Sequence, residues 1–255
     1  MSIFCSTFAP AKVKDKHHTM KRPIGIYLIA ALTMCLLAGC GLIERKHQSS
    51  AVVELNGHYI YQQTIDSLTL GLSGEDYAEH LNAVRSLPRR IQQTIDMNAA
   101  VPALAAKYHA SKALFFIGRN TDYAVSLEGA LKMKEISYLH SEAYAAGELK
   151  HGTIALIEEH QPVIALCGNP AVMEKTLSNI VEVKSRGAEV LALTFRENDK
   201  ILSVADDLLF MPEIDPLFSA VVEIVPLQLL AYYVAKANGC DIDKPKNLAK
   251  SVTVE

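Results

Sequence analysis

The chain has 255 residues, enough for one large domain or one domain with an extension. Half of its residues are hydrophobic and 21% are charged, with only 10 Pro and 13 Gly, which supplies a core and excludes a collagen-like or disordered chain. A formal net charge of −3 argues against a nucleic-acid partner, and 9 His and 5 Cys without Cys-x-x-Cys or His-Glu-x-x-His spacing argue against a metal site.

Residues 1–72 read as an atypical N-terminal extension. Residues 23–43 (PIGIYLIAALTMCLLAGCGLI) carry no charge, with Lys21 and Arg22 before them and Glu44, Arg45 and Lys46 after. Three readings stay open. The run can span a bilayer, or it can be a buried helix. It can also be an export leader starting at Met20, since Leu37-Ala38-Gly39-Cys40 resembles a bacterial lipobox whose Cys40 would carry lipid. A membrane partner follows only if this segment functions. Residues 51–72 then alternate apolar and polar around Asn56-Gly57, a hairpin pattern.

Residues 73–110 read as a helical connector. Ser73 is a candidate N-cap, with Glu75 and Asp76 in the first turn. Pro88 is expected to interrupt the helix and make two.

From residue 111 the pattern changes to short apolar runs between helical stretches. Residues 113–118 (ALFFIG), 162–168 (PVIALCG), 189–195 (EVLALTF) and 207–212 (DLLFMP) read as buried strands, and residues 125–139, 172–186 and 217–237 as helices. This alternation predicts an α/β fold, a parallel sheet covered by helices on both faces, over residues 111–255. Sites in such sheets lie beyond the carboxyl ends of the strands, here after Ile117 and Leu166. Cys5, Cys35, Cys40, Cys167 and Cys240 have no framework spacing, and a reduced compartment fits the region after Ser111.

Residues 127–152 (LEGALKMKEISYLHSEAYAAGELKHG) are the most informative. Glu128, Lys132 and Glu135 stand at i, i+4 and i+7, on one face of a helix. Such a stripe is ordinarily a solvated ion pair. This helix also carries Val125, Leu127, Leu131, Met133, Ile136 and Leu139, so it is expected to be largely buried, and buried charges need a reason. A buried carboxylate at Glu135 is a candidate general base. His151 falls in a turn. The tail leaves its helix through Asn238-Gly239, a C-cap pattern, and runs to Glu255 with Pro245 and Lys250 on the way.

AAGELKHG together with a chain ending in DKPKNLAKSVTVE resembles the second sugar-isomerase subdomain of the glucosamine-6-phosphate synthase family, also called glutamine–fructose-6-phosphate aminotransferases. The resemblance covers residues 74–255. It implies that Glu135 shuttles a proton between carbons 1 and 2 of the sugar phosphate. His151 assists ring opening at a neighbouring subunit's site, and Lys250 forms a Schiff base with the open-chain ketose. Glu128, Lys132 and Ala249 then orient the substrate, and residues 249–251 dock over the strand ends. It implies no cofactor, a substrate of the fructose 6-phosphate class, a homodimer or a complementary synthase chain as partner, and a cytoplasmic enzyme domain.

Three departures qualify this. No counterpart of the family's glutaminase domain stands among these residues, nor of its first isomerase subdomain, whose hydroxyl-rich loop cradles the phosphate. The junction Cys167-Gly168-Asn169-Pro170 has no such hydroxyls, and Thr153 stands where the family usually has proline. Two function classes therefore stay open: an isomerising transaminase subdomain, incomplete by itself, and a non-catalytic sugar-phosphate-binding or interaction module.

Overall fold

The computed structural model describes residues 51–55, 58–61, 74–195 and 198–247. The apolar run at 23–43 with Cys40, the candidate cap Ser73, and Ala249 and Lys250 lie outside the described residues. The chain divides into two compact units with a boundary between Arg89 and Arg90, and the large sheet belongs wholly to the second.

In the first unit, β1 (Ala51–Leu55) pairs antiparallel with β2 (His58–Tyr61), with Leu55 opposite His58, as the hairpin pattern predicts. Helix α1 (Gly74–Met97) follows. The interruption expected at Pro88 does not occur; α1 runs through it. Leu81, Val84, Leu87 and Ile91 are buried on both sides of the proline, and their burial outweighs a proline cost of about 3 kcal/mol. The break comes instead at Asn98. Its side chain donates to the Phe210 carbonyl at 2.6 Å and accepts from the Phe210 N–H at 2.8 Å, extending the edge of the sheet by one side-chain amide. Helix α2 (Val101–Tyr108) starts just beyond, with Pro102 in its first turn.

The second unit holds five parallel strands: β3 (Leu114–Gly118), β4 (Ser141–Ala145), β5 (Pro162–Leu166), β6 (Glu189–Thr194) and β7 (Asp207–Phe210), in the order β4-β3-β5-β6-β7. Phe116 of β3 stands opposite both Ala143 and Ile164, and Ile164 opposite Leu191. Every residue of β3 and β5 is buried, which explains their unbroken apolar runs. Phe115, Ile117, Val163, Ala165, Val190 and Ala192 form one face with Ile180 and Val183 of α4 (Met173–Lys184). The alternate residues face α3 (Thr121–Ser137) and α6 (Ser219–Ala237). There Gly129 permits close packing: a Cβ on it would stand 2.7 Å from Leu227 and 3.2 Å from Phe116. The short helix α5 (Asp199–Leu202) lies between β6 and β7 in sequence.

The sheet is thus parallel and helix-covered on both faces, as the alternation of elements predicts. Strand β4 escapes that reading because SEAYA is not an apolar run. It is an edge strand, where charge is ordinary, and Glu142 bonds Tyr144 at its surface. Residues 216–237 are long and apolar enough to cross a membrane, but most of that stretch is buried inside the unit, as befits a core helix.

Candidate active site

Helix α3 carries the charged stripe. It starts at Thr121, a turn earlier than its apolar pattern suggests, and ends at Tyr138 in the left-handed region (φ 60°). Val125, Gly129, Ala130, Met133 and Ile136 form its buried side. Glu128, Lys132 and Glu135 run along its flank, each with about a quarter of its side chain exposed. The Lys132 ammonium donates to Glu135 Oε2 at 2.5 Å and lies 3.5 Å from Glu128 Oε1. One cation therefore serves two carboxylates.

Burial shapes this trio. It holds Glu128 above the ordinary carboxylate range, with the Glu135 charge adding to the effect and Lys132 opposing it. Burial works against the Lys132 charge, but the hydrogen bond to Glu135 and the nearby Glu128 carboxylate outweigh it and raise the ammonium above its usual range. The stripe lies along a helix flank, not in the loops beyond the strand ends.

The expectation of a largely buried α3 needs correction. Leu127 is 48% exposed and Leu131 38%, and both belong to an open face that continues to Tyr138. The apolar pattern counted them toward the core, but Phe116 and Leu227 pack on the Gly129 side of the helix.

His151 ends a single helical turn, Leu149–His151, and is exposed. Gly152 follows at φ 155° and Thr153 donates weakly to the Leu149 carbonyl at 3.4 Å. This is the exposed turn that the sequence pattern implies for His151.

Sequence reasoning missed a second acidic pair. Asp122, in the first turn of α3, and Glu223, on α6, are both fully buried. Asp122 Oδ2 accepts from the backbone N–H groups of Gly168 and Asn169, each at 3.2 Å, and so ties α3 to the loop after β5. Glu223 presses on the same loop, where a Cβ on Gly168 would fall 1.6 Å from Glu223 Oε1. Burial pushes Asp122 up to about 7, against the two backbone bonds, and pushes Glu223 well up, with the Asp122 charge adding. The Cys167 thiol between strand and loop is raised by burial and by both carboxyls. The two N–H groups that an anion could use at this strand end are occupied by the protein's own carboxylate.

The SIS domain family matches residues 107–236, just over half of the chain. The chain belongs to this family. Among curated proteins, the glutamine–fructose-6-phosphate aminotransferase (isomerizing) of Thermus thermophilus is 47% identical over 184 residues, which are 72% of this chain and 30% of that protein. The enzyme of the same name from Caldanaerobacter subterraneus is 48% identical over the same length. This SIS chain thus spans about 30% of the length of the curated relatives it matches. Among solved structures, the C-terminal domain of the Francisella tularensis glucosamine-fructose-6-phosphate aminotransferase superposes with a TM-score of 0.65 at 32% identity, covering 71% of this chain and 52% of that one. The family match includes the segment AAGELKHG.

Proposed function

We propose that residues 74–255 act as the second isomerase subdomain of a glutamine–fructose-6-phosphate aminotransferase, in the synthesis of glucosamine 6-phosphate. The observation that carries this is the ion trio on α3: an ammonium held between two carboxylates on a half-buried flank, where a solvated pair would gain only a few tenths of a kcal/mol. Identity of 47% over 184 residues to a protein of that name supports it.

In this reading the Lys250 amine condenses with the C2 carbonyl of open-chain fructose 6-phosphate and releases water. The imine makes the C1 hydrogen acidic and exchangeable by Glu135. Ammonia, from glutamine in the family's reaction, then displaces the Lys250 amine from C2. Glu135 moves the C1 proton of the new imine to C2, leaving glucosamine 6-phosphate and the free lysine. Lys132 holds the Glu135 carboxylate in place and Glu128 supports Lys132. His151, on its exposed turn, assists ring opening at the site of a second copy or of a complementary synthase chain, and Ala249 contacts the substrate beside Lys250. The reaction belongs to the cytoplasm. Incubation with fructose 6-phosphate in deuterated water tests the proton step. Deuterium is expected in recovered hexose phosphate with the wild type and not with Glu135→Gln; equal incorporation by both would remove Glu135 from the reaction.

A further inference from the structure

Arg119 takes no part in the chemistry above. It follows β3 directly, at the carboxyl edge where sheets of this kind hold their ligands. Asn120 behind it adopts a backbone conformation rare outside glycine (φ 53°, ψ −120°), which turns the chain sharply into α3. The Arg119 side chain runs to the face covered by α4, where Nε and Nη2 donate to Asn179 Oδ1 at 3.1 and 2.8 Å. Asn179 is 7% exposed, so a nearly buried and neutral partner fixes the guanidinium. Among the described residues the guanidinium pairs with no carboxylate, and neither its Nη1 nor Asn179 Nδ2 has a hydrogen-bond partner. Both nitrogens remain open to solvent. The backbone facing the guanidinium is that of Gly147. A Cβ there would stand 2.9 Å from Nη2 and 3.1 Å from Nη1, so the missing side chain leaves those nitrogens uncovered. Gly147 does not have a positive φ; the guanidinium, not the backbone, is what calls for glycine.

We infer that Arg119, Asn179 and Gly147 form an anion subsite that takes the phosphate group of a small ligand. A half-buried cation with no counter-charge favours a dianion. With Asn179 Oδ1 already engaged, the free groups are N–H donors, which suit phosphate oxygens. The subsite is separate from the Glu128–Lys132–Glu135 trio. Thr121 and Glu135 are fourteen residues apart on α3, about 21 Å along its axis, and Asn179 lies on the opposite face of the sheet from that helix. A hexose phosphate held at Glu135 does not reach it. The occupant is therefore a second ligand, and the subsite stands whether or not Glu135 isomerises a sugar.

Phosphorus NMR titration of inorganic phosphate with the full chain, at constant ionic strength, reads the subsite directly. The wild type is expected to bind phosphate, and Arg119→Met to bind it at least about tenfold more weakly. Arg119→Lys should fall in between, because it keeps the charge and loses the fork. Gly147→Ala puts a methyl group against the guanidinium and should also weaken binding, whereas Lys132→Met should keep the wild-type affinity. Near-ultraviolet circular dichroism matching the wild type separates loss of the subsite from loss of the fold. No binding by the wild type, or equal binding by a folded Arg119→Met, overturns the subsite. A loss in Lys132→Met as large as in Arg119→Met overturns its separation from the trio. Fructose 6-phosphate added to phosphate-loaded Lys132→Met then distinguishes the source. Displacement of the phosphate assigns the subsite to phosphate esters and its retention to free phosphate, and both uphold it.

Discussion

The carboxyl groups of Asp122 and Glu223 are both buried in the interior, at the start of α3 and in the first turns of α6, close enough for the charge of Asp122 to raise Glu223. Among the described residues no N–H or O–H group serves either oxygen of Glu223 or the Oδ1 of Asp122. The pair is satisfied only with a proton between the two groups, because two unpaired charges in this setting would each cost several kcal/mol.

That proton makes stability depend on pH. Burial raises both carboxyls, so the folded protein holds a proton that the unfolded chain releases near pH 4. The contribution is complete below the unfolded pKa and is lost as pH rises through the folded value, about 7 for Asp122. The wild-type melting temperature is expected to drop between pH 5 and pH 8, by about 2–4 °C for each kcal/mol lost. Glu223→Gln supplies a permanent N–H donor to Asp122 and should flatten that slope. Parallel pH profiles for the two proteins would show that no shared proton is present.

Lys132→Met tests the trio. The substitution keeps the aliphatic stem and removes the cation between Glu128 and Glu135. Because the group is partly solvated, the stability loss is expected to stay near 1 kcal/mol in urea unfolding. Deuterium transfer into hexose phosphate should fall at least about tenfold. Unchanged transfer would reduce the trio to a surface ion pair.

Gly129→Val tests the packing of α3 on the sheet. The new side chain would enter space held by Leu227 and Phe116, and overpacking of this kind costs about 1–3 kcal/mol. Chemical denaturation should show a lowered midpoint; an unchanged midpoint would mean that α3 and α6 sit farther apart.

Substitution of Cys40 tests the lipobox reading. If the lipobox-like segment is processed, labelled fatty acid enters the wild type in cells and not Cys40→Ala. The cytoplasmic assignment expects label in neither, and label lost on substitution would contradict it.

How far the fold could be read depended on burial. Strands β3, β5 and β6 are apolar because both of their faces are covered, and a run such as ALFFIG announces that directly. Strand β4 gives no such signal, because one long edge of it is open. Pro88 misled because local propensity was outweighed by the buried side of α1. Leu127 and Leu131 misled because periodicity shows that a residue is apolar, not which neighbour covers it. That Glu128, Lys132 and Glu135 share one helix face was legible from their spacing, whereas the role proposed for them came from the family resemblance. The acid pair was not, although Glu223 is the one acidic residue in the apolar stretch VVEIVPLQLL, and that signal marks a buried charge in need of a partner. The partner, Asp122, is distant in sequence and resembles an ordinary first-turn acid.

The most direct measurement of the central claim is the mass of tryptic peptides after borohydride treatment with saturating fructose 6-phosphate. Trapping counts single condensation events, so slow turnover does not hide it. A hexitol phosphate adduct is expected on the peptide that contains Lys250 in the wild type and in Glu135→Gln, and none in Lys250→Arg. An adduct spread over surface lysines with Lys250 unlabelled, or equal labelling with Lys250→Arg, would contradict it.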